Sequence, residues 1–297
     1  MLGPVTGALR MFGAAAGDVA HAVDVLDLVP GESPSDPLEA RDPSYIRETL
    51  PTLRMMSELY FRAEVDGLEN VPDEPVLLVG NHSGGTLIAD TFVFGQAFYD
   101  HFGPERRFHQ LAHDLVFKVP GVRMSLMKYG TVPANPRNMR RALAKGAALL
   151  VYPGGDHESY RPSWESDQVD FAGRKGFVKL ALELGIPIVP VVAIGGQETA
   201  LFLGRGGRFA RALQLDKLAR LKVLPFQFAP PFGFTVLDLP GRIPLPAKIK
   251  IEVLPRIDLR EELGTKPDLE DAYDLVTGRM QDTLTGMSEE RTFPVVG

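Results

Sequence analysis

Runs of apolar residues that end at glycine or proline recur along the chain, and they indicate how it is organised. Four consecutive apolar residues precede Gly80, and similar runs occupy 147–152 and 186–193. Continuous apolar runs of this length are typical of strands that are buried on both faces. Apolar residues at helical spacing predict helices over about 86–99 and 177–184. Strands that alternate with helices favour an α/β fold with a largely parallel central sheet flanked by helices.

The two ends of the chain have their own patterns. Residues 1–43 open with amphipathic spacing and end in a proline-rich linker, so we divide the chain into this N-terminal helical segment and one domain over 44–297. Asp42-Pro43 predicts a helix start, because aspartate caps a helix and proline fits its first turn. Pro51 predicts a kink or restart in that helix. The spacing over 268–287 predicts an amphipathic C-terminal helix.

Composition removes several classes of function. The formal net charge of −6 argues against a general nucleic-acid binder. The absence of cysteine removes disulfides, thiolate metal sites and a cysteine nucleophile. No apolar run approaches the ~20 residues needed to cross a bilayer. Arg10 and Asp18 interrupt the N-terminal stretch, so we do not interpret it as a signal peptide.

A histidine stands where the first buried strand stops. His82 precedes Ser83 and two glycines, and the first carboxylate after it is Asp90. Ligands bind at the carboxyl ends of strands in open α/β sheets. A histidine with a carboxylate nearby has the parts of a general base and its orienter. The alternatives are a satisfied loop histidine, and an aspartate that only favours the positive start of a helix.

Three glycine-rich turns and a fourth strand carry a family resemblance. The turns are 81–85, 130–135 and 153–158, and the strand is Ile186-Pro187-Ile188-Val189-Pro190-Val191. Together they resemble the glycerolipid acyltransferase superfamily, the lysophospholipid acyltransferases. That family has a histidine–aspartate block, a Gly-x-Val/Ile block, a Pro-Glu-Gly or Gly-Gly block and an Ile-Pro-Ile-Val-Pro-Val block. All four occur here in order, over about 60–200.

The chain departs from the family pattern at three blocks; in the second, the usual arginine is absent from its place and Arg137 lies one residue later. The family has aspartate five places after its histidine, where this chain has Leu87 and only later Asp90. The third block has Gly154 in the usual glutamate position. The stretch Gly154-Gly155-Asp156-His157-Glu158 is similar to the Gly-Gly-x-x-Glu of the mono- and diacylglycerol acyltransferase branch.

The resemblance implies direct acyl transfer without an acyl-enzyme. His82 would remove a proton from an acceptor hydroxyl, which attacks the thioester of acyl-CoA, and Asp90 would orient the imidazole. Backbone N–H groups of the glycine turns would stabilise the oxyanion. No metal site and no permanently bound cofactor are expected. The substrate-binding residues expected on this basis are Ser83, Gly154, Gly155, Glu158, Arg174 and Lys175.

The acceptor is expected to be a lysophospholipid. Arg174 and Lys175 open a helix and favour an anion, so lysophosphatidate (1-acylglycerol-3-phosphate) in glycerophospholipid biosynthesis is the first choice. The Gly-Gly-x-x-Glu stretch favours a neutral mono- or diacylglycerol instead. The alternatives for the two cations and for Glu158 are a solvated helix surface and a loop carboxylate. A lipid hydrolase or thioesterase that uses His82 with water, and a non-catalytic lipid-binding module, are the competing functions.

A basic and apolar stretch over 200–235 suggests a membrane contact. Its cations face anionic head groups in this interpretation, and its Leu and Phe residues enter the interface. The alternative is an amphipathic helix packed on the core. With the N-terminal residues 2–12, this stretch predicts a cytoplasmic protein that is peripheral on the inner face of the cell membrane. Six cations lie in it: Arg205, Arg208, Arg211, Lys217, Arg220 and Lys222.

Overall fold

A computed structural model describes most of the chain. The described residues are 36–85, 88–114, 116–118, 122–207, 225–236, 238 and 242–293. The predicted N-terminal helices therefore lie outside the described residues. So do Leu87 and five of the six cations of the basic stretch.

A seven-stranded sheet forms the centre of the molecule, in the order β1-β10-β6-β2-β5-β3-β4. Every neighbouring pair is parallel except β10 with β6, so the sheet is largely parallel, as predicted. Its strands are β1 Glu64–Asp66, β2 Val76–Gly80, β3 Phe108–Ala112, β4 Thr131–Pro133, β5 Ala148–Val151, β6 Ile188–Ile194 and β10 Lys250–Val253.

Strand β2 lies in the middle of the sheet and is buried along its whole length. Leu77 and Val79 belong to one core cluster, and Val76 and Leu78 belong to another on the opposite face. A strand covered on both faces needs apolar residues at every position, which explains the uninterrupted run. Strand β2 ends between β5 and β6, and His82 follows its end.

Helices cover both faces of this sheet, and none in the described ranges is both long and apolar enough to cross a membrane. The last helix packs against β6 through buried residues spaced four apart, from Ala272 to Leu284. The helices are α1 Pro43–Met55, α2 Ala89–Phe102, α3 Val122–Lys128, α4 Pro136–Ala144, α5 Gly155–Ser159, α6 Gly176–Leu184, α7 Leu259–Leu263 and α8 Leu269–Glu289.

Helix α1 begins where the capping signal predicts, but it does not restart at Pro51. The Asp42 carboxylate accepts hydrogen bonds from the backbone N–H groups of Ser44 and Tyr45. The helix continues through Pro51 to Met55 and then widens into a π-helical turn, Met56–Tyr60. Burial of Ile46 and Leu50 against the core outweighs the single hydrogen bond that the proline removes.

The end of the predicted linker packs onto the domain. Leu38 is buried in the core cluster that also contains Leu77. Asp36 forms an ion pair with Arg141 of α4. Residues 36–43 therefore add to the domain that the sequence analysis placed over 44–297.

A second, three-stranded antiparallel sheet occupies part of the basic and apolar stretch. It consists of β7 Leu201–Gly204, β8 Phe226–Ala229 and β9 Gly233–Thr235, in that order. Both described ends of this stretch are thus strands, and the helix considered above is not found there. The chain that connects β7 with β8 lies largely outside the described residues.

Candidate active site

His82 lies just beyond the carboxyl end of β2, beside the end of β5. The two strands are parallel, so the turns that follow them meet at one edge of the sheet. The His82 ring stacks on Tyr152, with 4.1 Å between ring centroids and 27° between planes. Gly80 makes room for the Tyr152 ring, because a Cβ at position 80 would lie 2.5 Å from Tyr152 Cε1. The turn from β5 thus supports the histidine.

Two buried charged side chains hold the backbone of His82. The N–H of His82 donates to Glu158 Oε2 at 3.1 Å, and its carbonyl accepts from Arg161 Nη2 at 2.8 Å. Arg161 Nη2 also lies 3.2 Å from Glu158 Oε1, which closes the clamp. Both side chains are at most 1% exposed. Glu158 therefore binds the backbone of His82, whereas the sequence predicts that it contacts a substrate.

The glycine turn after β5 is shaped around Glu158. A Cβ on Gly154 would overlap the Glu158 carboxylate, so only glycine fits at this position. The N–H of Asp170 donates to Glu158 Oε1 at 3.0 Å. Burial raises the pKa of Glu158 to about 7, although the nearby Arg161 guanidinium opposes this shift. Gly154 thus contributes to the site through packing, and no direct substrate role is evident for it.

Asp90 lies close to His82 in the fold but bonds to a different residue. Its Oδ2 accepts from the N–H of Ser83 at 3.2 Å and from Ser83 Oγ at 3.0 Å. His82 Nδ1 is buried and has no hydrogen-bond partner among the described residues. The predicted direct bond between Asp90 and His82 is therefore not formed. Ser83, expected to bind substrate, is itself buried and committed to Asp90.

Asp90 is connected to His82 through two other side chains, those of Thr91 and Tyr152. Thr91 Oγ1 lies 3.4 Å from Asp90 Oδ1 and 2.8 Å from the Tyr152 hydroxyl. Tyr152 in turn stacks on His82. Burial raises the pKa of Asp90 to about 6, even though hydrogen bonds from Ser83 and Thr91 act in the opposite direction. The carboxylate thus positions the loop and the stacked tyrosine.

The environment of His82 keeps its imidazole neutral. Burial lowers the pKa of His82 to about 3, and the positive charge of Arg161 acts in the same direction. A neutral imidazole has a free lone pair, so it can accept a proton. The ring therefore has the protonation state that a general base needs, while the same burial disfavours the imidazolium that proton transfer produces.

The backbone N–H groups of residues 82–85 all donate to other groups of the protein. Besides those of His82 and Ser83, the N–H of Gly84 donates to Gln197 Oε1 at 3.0 Å, and that of Gly85 donates to the Ser159 carbonyl at 2.9 Å. These four N–H groups are therefore not free for an oxyanion, and the oxyanion role expected of the glycine turns stays a prediction for the other two turns.

The two cations predicted to bind an anion both have protein partners. Arg174 donates to the carbonyls of Pro153 and Gly154 and to Asp156 Oδ1, at 2.8 to 3.1 Å. Lys175 forms an ion pair with Glu270 of α8. Gly155, also expected at the substrate, begins α5 directly beside the Arg174 guanidinium. Arg174 thus ties the glycine turn together, and the physical basis for an anionic acceptor weakens.

Several residues around the histidine loop were not identified from the sequence pattern. Tyr152 is the last residue of an apolar run, and Arg161 follows Glu158 at helical spacing, so both carried a weak signal. Gln197 and the Arg242–Asp238 ion pair carried none, because they reach the loop from distant parts of the chain. In the part of the chain that the structure describes, no three His, Asp or Glu side chains are grouped to hold a metal ion.

Comparisons with known proteins agree with this architecture. A family model described as Acyltransferase matches residues 62–194. An uncharacterized protein of Mycobacterium tuberculosis is 33% identical over 202 residues, which is 68% of this chain and 53% of that protein. The bovine (Bos taurus) DGAT1/2-independent enzyme synthesizing storage lipids is 29% identical over 57% of this chain and 47% of its own. The chain spans about half the length of these curated relatives.

A solved structure has the same fold. The crystal structure of the 1-acyl-sn-glycerophosphate (LPA) acyltransferase PlsC from Thermotoga maritima superposes with a TM-score of 0.53. It is 17% identical in sequence, and the match covers 85% of this chain and 86% of that one. The matched family model identifies residues 62–194 as an acyltransferase domain, and the shared fold and the related sequences support a domain of the glycerolipid acyltransferase type.

Proposed function

We propose that the protein transfers a fatty acyl group from acyl-CoA to the hydroxyl of a glycerolipid, with His82 as the general base. One observation carries the proposal above the others. His82 is held by its backbone at the carboxyl end of the central strand, with its ring stacked on Tyr152. The bovine relative, which synthesizes storage lipids, supports the lipid substrate class.

The chemistry follows from the histidine's two nitrogens. Nδ1 is buried, so Nε2 is the nitrogen that meets the acceptor. Nε2 removes the hydroxyl proton as the acceptor oxygen attacks the thioester carbonyl, which forms a C–O bond and a tetrahedral oxyanion. The oxyanion then collapses, the C–S bond breaks, and the imidazolium returns the proton to the departing CoA thiolate. A positioned base contributes ~10²–10⁴-fold to such a reaction.

A neutral acylglycerol is the acceptor that the charges of the site favour. The expectation of lysophosphatidate rested on Arg174 and Lys175 as free cations, and each is paired with a carboxylate. A phosphate would have to displace Asp156 or Glu270 to gain either cation. A neutral glycerol hydroxyl needs no such exchange.

Lysophosphatidate is the second candidate, because of the position of Arg174. The Arg174 side chain is 40% exposed and lies against the glycine turn, where a phosphate in place of Asp156 would meet it. The structurally similar PlsC is named for 1-acyl-sn-glycerophosphate.

An acceptor panel tests the proposal. Purified protein is mixed with palmitoyl-CoA and equal amounts of monoacylglycerol, diacylglycerol or lysophosphatidate in mixed micelles, and mass spectrometry measures the acylated products. We expect acyl transfer to the neutral acceptors to be several-fold faster. The same assay on Asp156→Asn, which frees Arg174, should shift preference towards lysophosphatidate. Free fatty acid as the sole product with every acceptor would identify a hydrolase or thioesterase instead.

A further inference from the structure

The small sheet presents a row of apolar side chains to solvent. Leu201 of β7 pairs directly with Phe228 of β8, and Phe228 pairs directly with Phe234 of β9. The three residues are 43%, 39% and 75% exposed. The Phe228 and Phe234 rings are in contact, with 4.9 Å between centroids. One continuous apolar row therefore crosses the whole outer face of the sheet.

Neighbouring residues enlarge this row into a surface. Leu203, Phe232 and Val236 belong to the same strands and turns, and each is at least 40% exposed. We call these six residues the outer face: Leu201, Leu203, Phe228, Phe232, Phe234 and Val236. Soluble monomers rarely expose so many large apolar side chains together, and such surfaces usually contact a partner or a membrane.

The opposite, inner face of the same sheet contacts the histidine loop. Phe202 is fully buried, and a Cβ on Gly85 would lie 2.9 Å from its Cζ. Gln227 Nε2 donates to Asp238 Oδ1 at 2.9 Å, and Arg242 Nε donates to the same oxygen at 2.8 Å. Arg242 also donates to the carbonyl of Gly84. The sheet is therefore linked to the loop that carries His82 through the Asp238–Arg242 ion pair.

We propose that the outer face docks onto a lipid bilayer and thereby places the His82 loop beside the membrane. This inference rests on the proposed function, because a lipid acceptor and a lipid product must enter and leave through a membrane surface. The register of the strands supports a bilayer, since aromatic and Leu side chains on one face with polar contacts on the other suit an interface.

The charge of the connecting chain agrees with this partner. Residues 208–224 join β7 to β8, and they carry five basic residues against the single acid Asp216. Basic residues that adjoin an apolar membrane-contacting segment in sequence favour anionic head groups. Arg205, expected from the sequence to contact head groups, instead donates to the His157 carbonyl and to Glu165. Among the described residues, the proposed contact surface therefore consists of the apolar outer face and does not include Arg205.

Vesicle binding without substrate tests the inference separately from the proposed function. The full chain is sedimented with phosphatidylcholine vesicles that contain about 30% phosphatidylglycerol, and bound protein is measured. The test variant is Phe228→Thr/Phe234→Thr, which keeps strand propensity while removing both rings. We expect about a tenfold loss of affinity per ring, which corresponds to about 1.4 kcal/mol each.

A matched pair of variants controls for general loss of apolar surface. Leu201→Thr/Leu203→Thr removes residues that are 43% and 40% exposed, and Leu184→Thr/Leu263→Thr removes residues that are 41% and 36% exposed on helices α6 and α7. We expect only the first pair to weaken vesicle binding. Circular dichroism establishes that all variants are folded.

Three results bear on the inference. Weaker vesicle binding by the sheet variants, but not by the control variant, supports the inference. This holds even if the protein shows no acyl transfer and the proposed function fails. Equal vesicle binding by wild type and all variants overturns it. A wild-type dimer in sedimentation velocity, lost in Phe228→Thr/Phe234→Thr without any change in vesicle binding, also overturns it and makes the outer face an interface between two copies.

Discussion

Replacing Asp90 with asparagine should change the pH dependence of stability in a calculable way. Asp90 is 1% exposed, and its oxygens accept hydrogen bonds from Ser83 and Thr91. Burial raises the pKa of Asp90 from 3.8 to about 6. The folded state therefore holds the proton more tightly than the unfolded state does. The stability that Asp90 contributes is complete below pH 3.8 and is lost as the pH rises through about 6.

The size of this effect follows from the shift. A pKa unit corresponds to about 1.36 kcal/mol, so the complete titration of Asp90 lowers the free energy of unfolding by about 3 kcal/mol, of which about 2 kcal/mol falls between pH 4 and pH 7. Asparagine does not titrate, so the Asp90→Asn variant lacks this loss. All other titrating groups are shared and cancel in the difference. The stability of the variant minus that of wild type should therefore increase by about 2 kcal/mol over this range.

Urea unfolding at pH 4, 5, 6 and 7 measures the difference. The turnover number of Asp90→Asn should be lower than that of wild type. An amide cannot accept hydrogen bonds from both Ser83 and Thr91 as the carboxylate does. We expect a lower kcat with a nearly unchanged KM. A stability difference that is constant with pH would refute the burial argument, and an unchanged kcat would refute the positioning role of Asp90.

Two further substitutions test the supports of the histidine. Tyr152→Phe keeps the ring on His82 and loses one hydrogen bond worth about 1 kcal/mol, so kcat should fall a few-fold. Tyr152→Leu also loses the stacked ring, and its kcat should be about tenfold lower again; equal rates in both variants would contradict this order. Gly154→Ala should lower the free energy of unfolding by about 1–3 kcal/mol, because its Cβ overlaps Glu158. Gly176→Ala, with nothing within 4 Å of its Cβ, is the control and should unfold like wild type.

The central sheet could be predicted because its strands are uniformly apolar. Strand β2 and the strands beside it are buried on both faces, so their sequence pattern does not depend on distant contacts. His82 could be placed for the same reason, since it follows β2 directly. Its partners could not be placed in this way. Gly84 and Gly85 both adopt left-handed backbone conformations, and these turns direct Asp90 to Ser83 and not to the imidazole.

The clamp and the small sheet depend on contacts that span the chain. Arg161 meets the His82 carbonyl across 79 residues, and no local pattern encodes that contact. In the small sheet, exposed Leu201 and Phe228 alternate with buried Phe202 and Gln227, which is a strand pattern. The regularly spaced cations that follow in the sequence favour a helix, so the two-residue alternation of the strands was not recognised.

The general-base role of His82 can be tested by one kinetic comparison. Transfer from palmitoyl-CoA to the preferred acceptor is measured for wild type and His82→Gln, after circular dichroism and vesicle binding show that both proteins are folded and bind alike. We expect a ~10²–10⁴-fold lower kcat for His82→Gln. Turnover within about threefold of wild type would contradict it, because a residue that removes the acceptor proton cannot be lost at so small a cost.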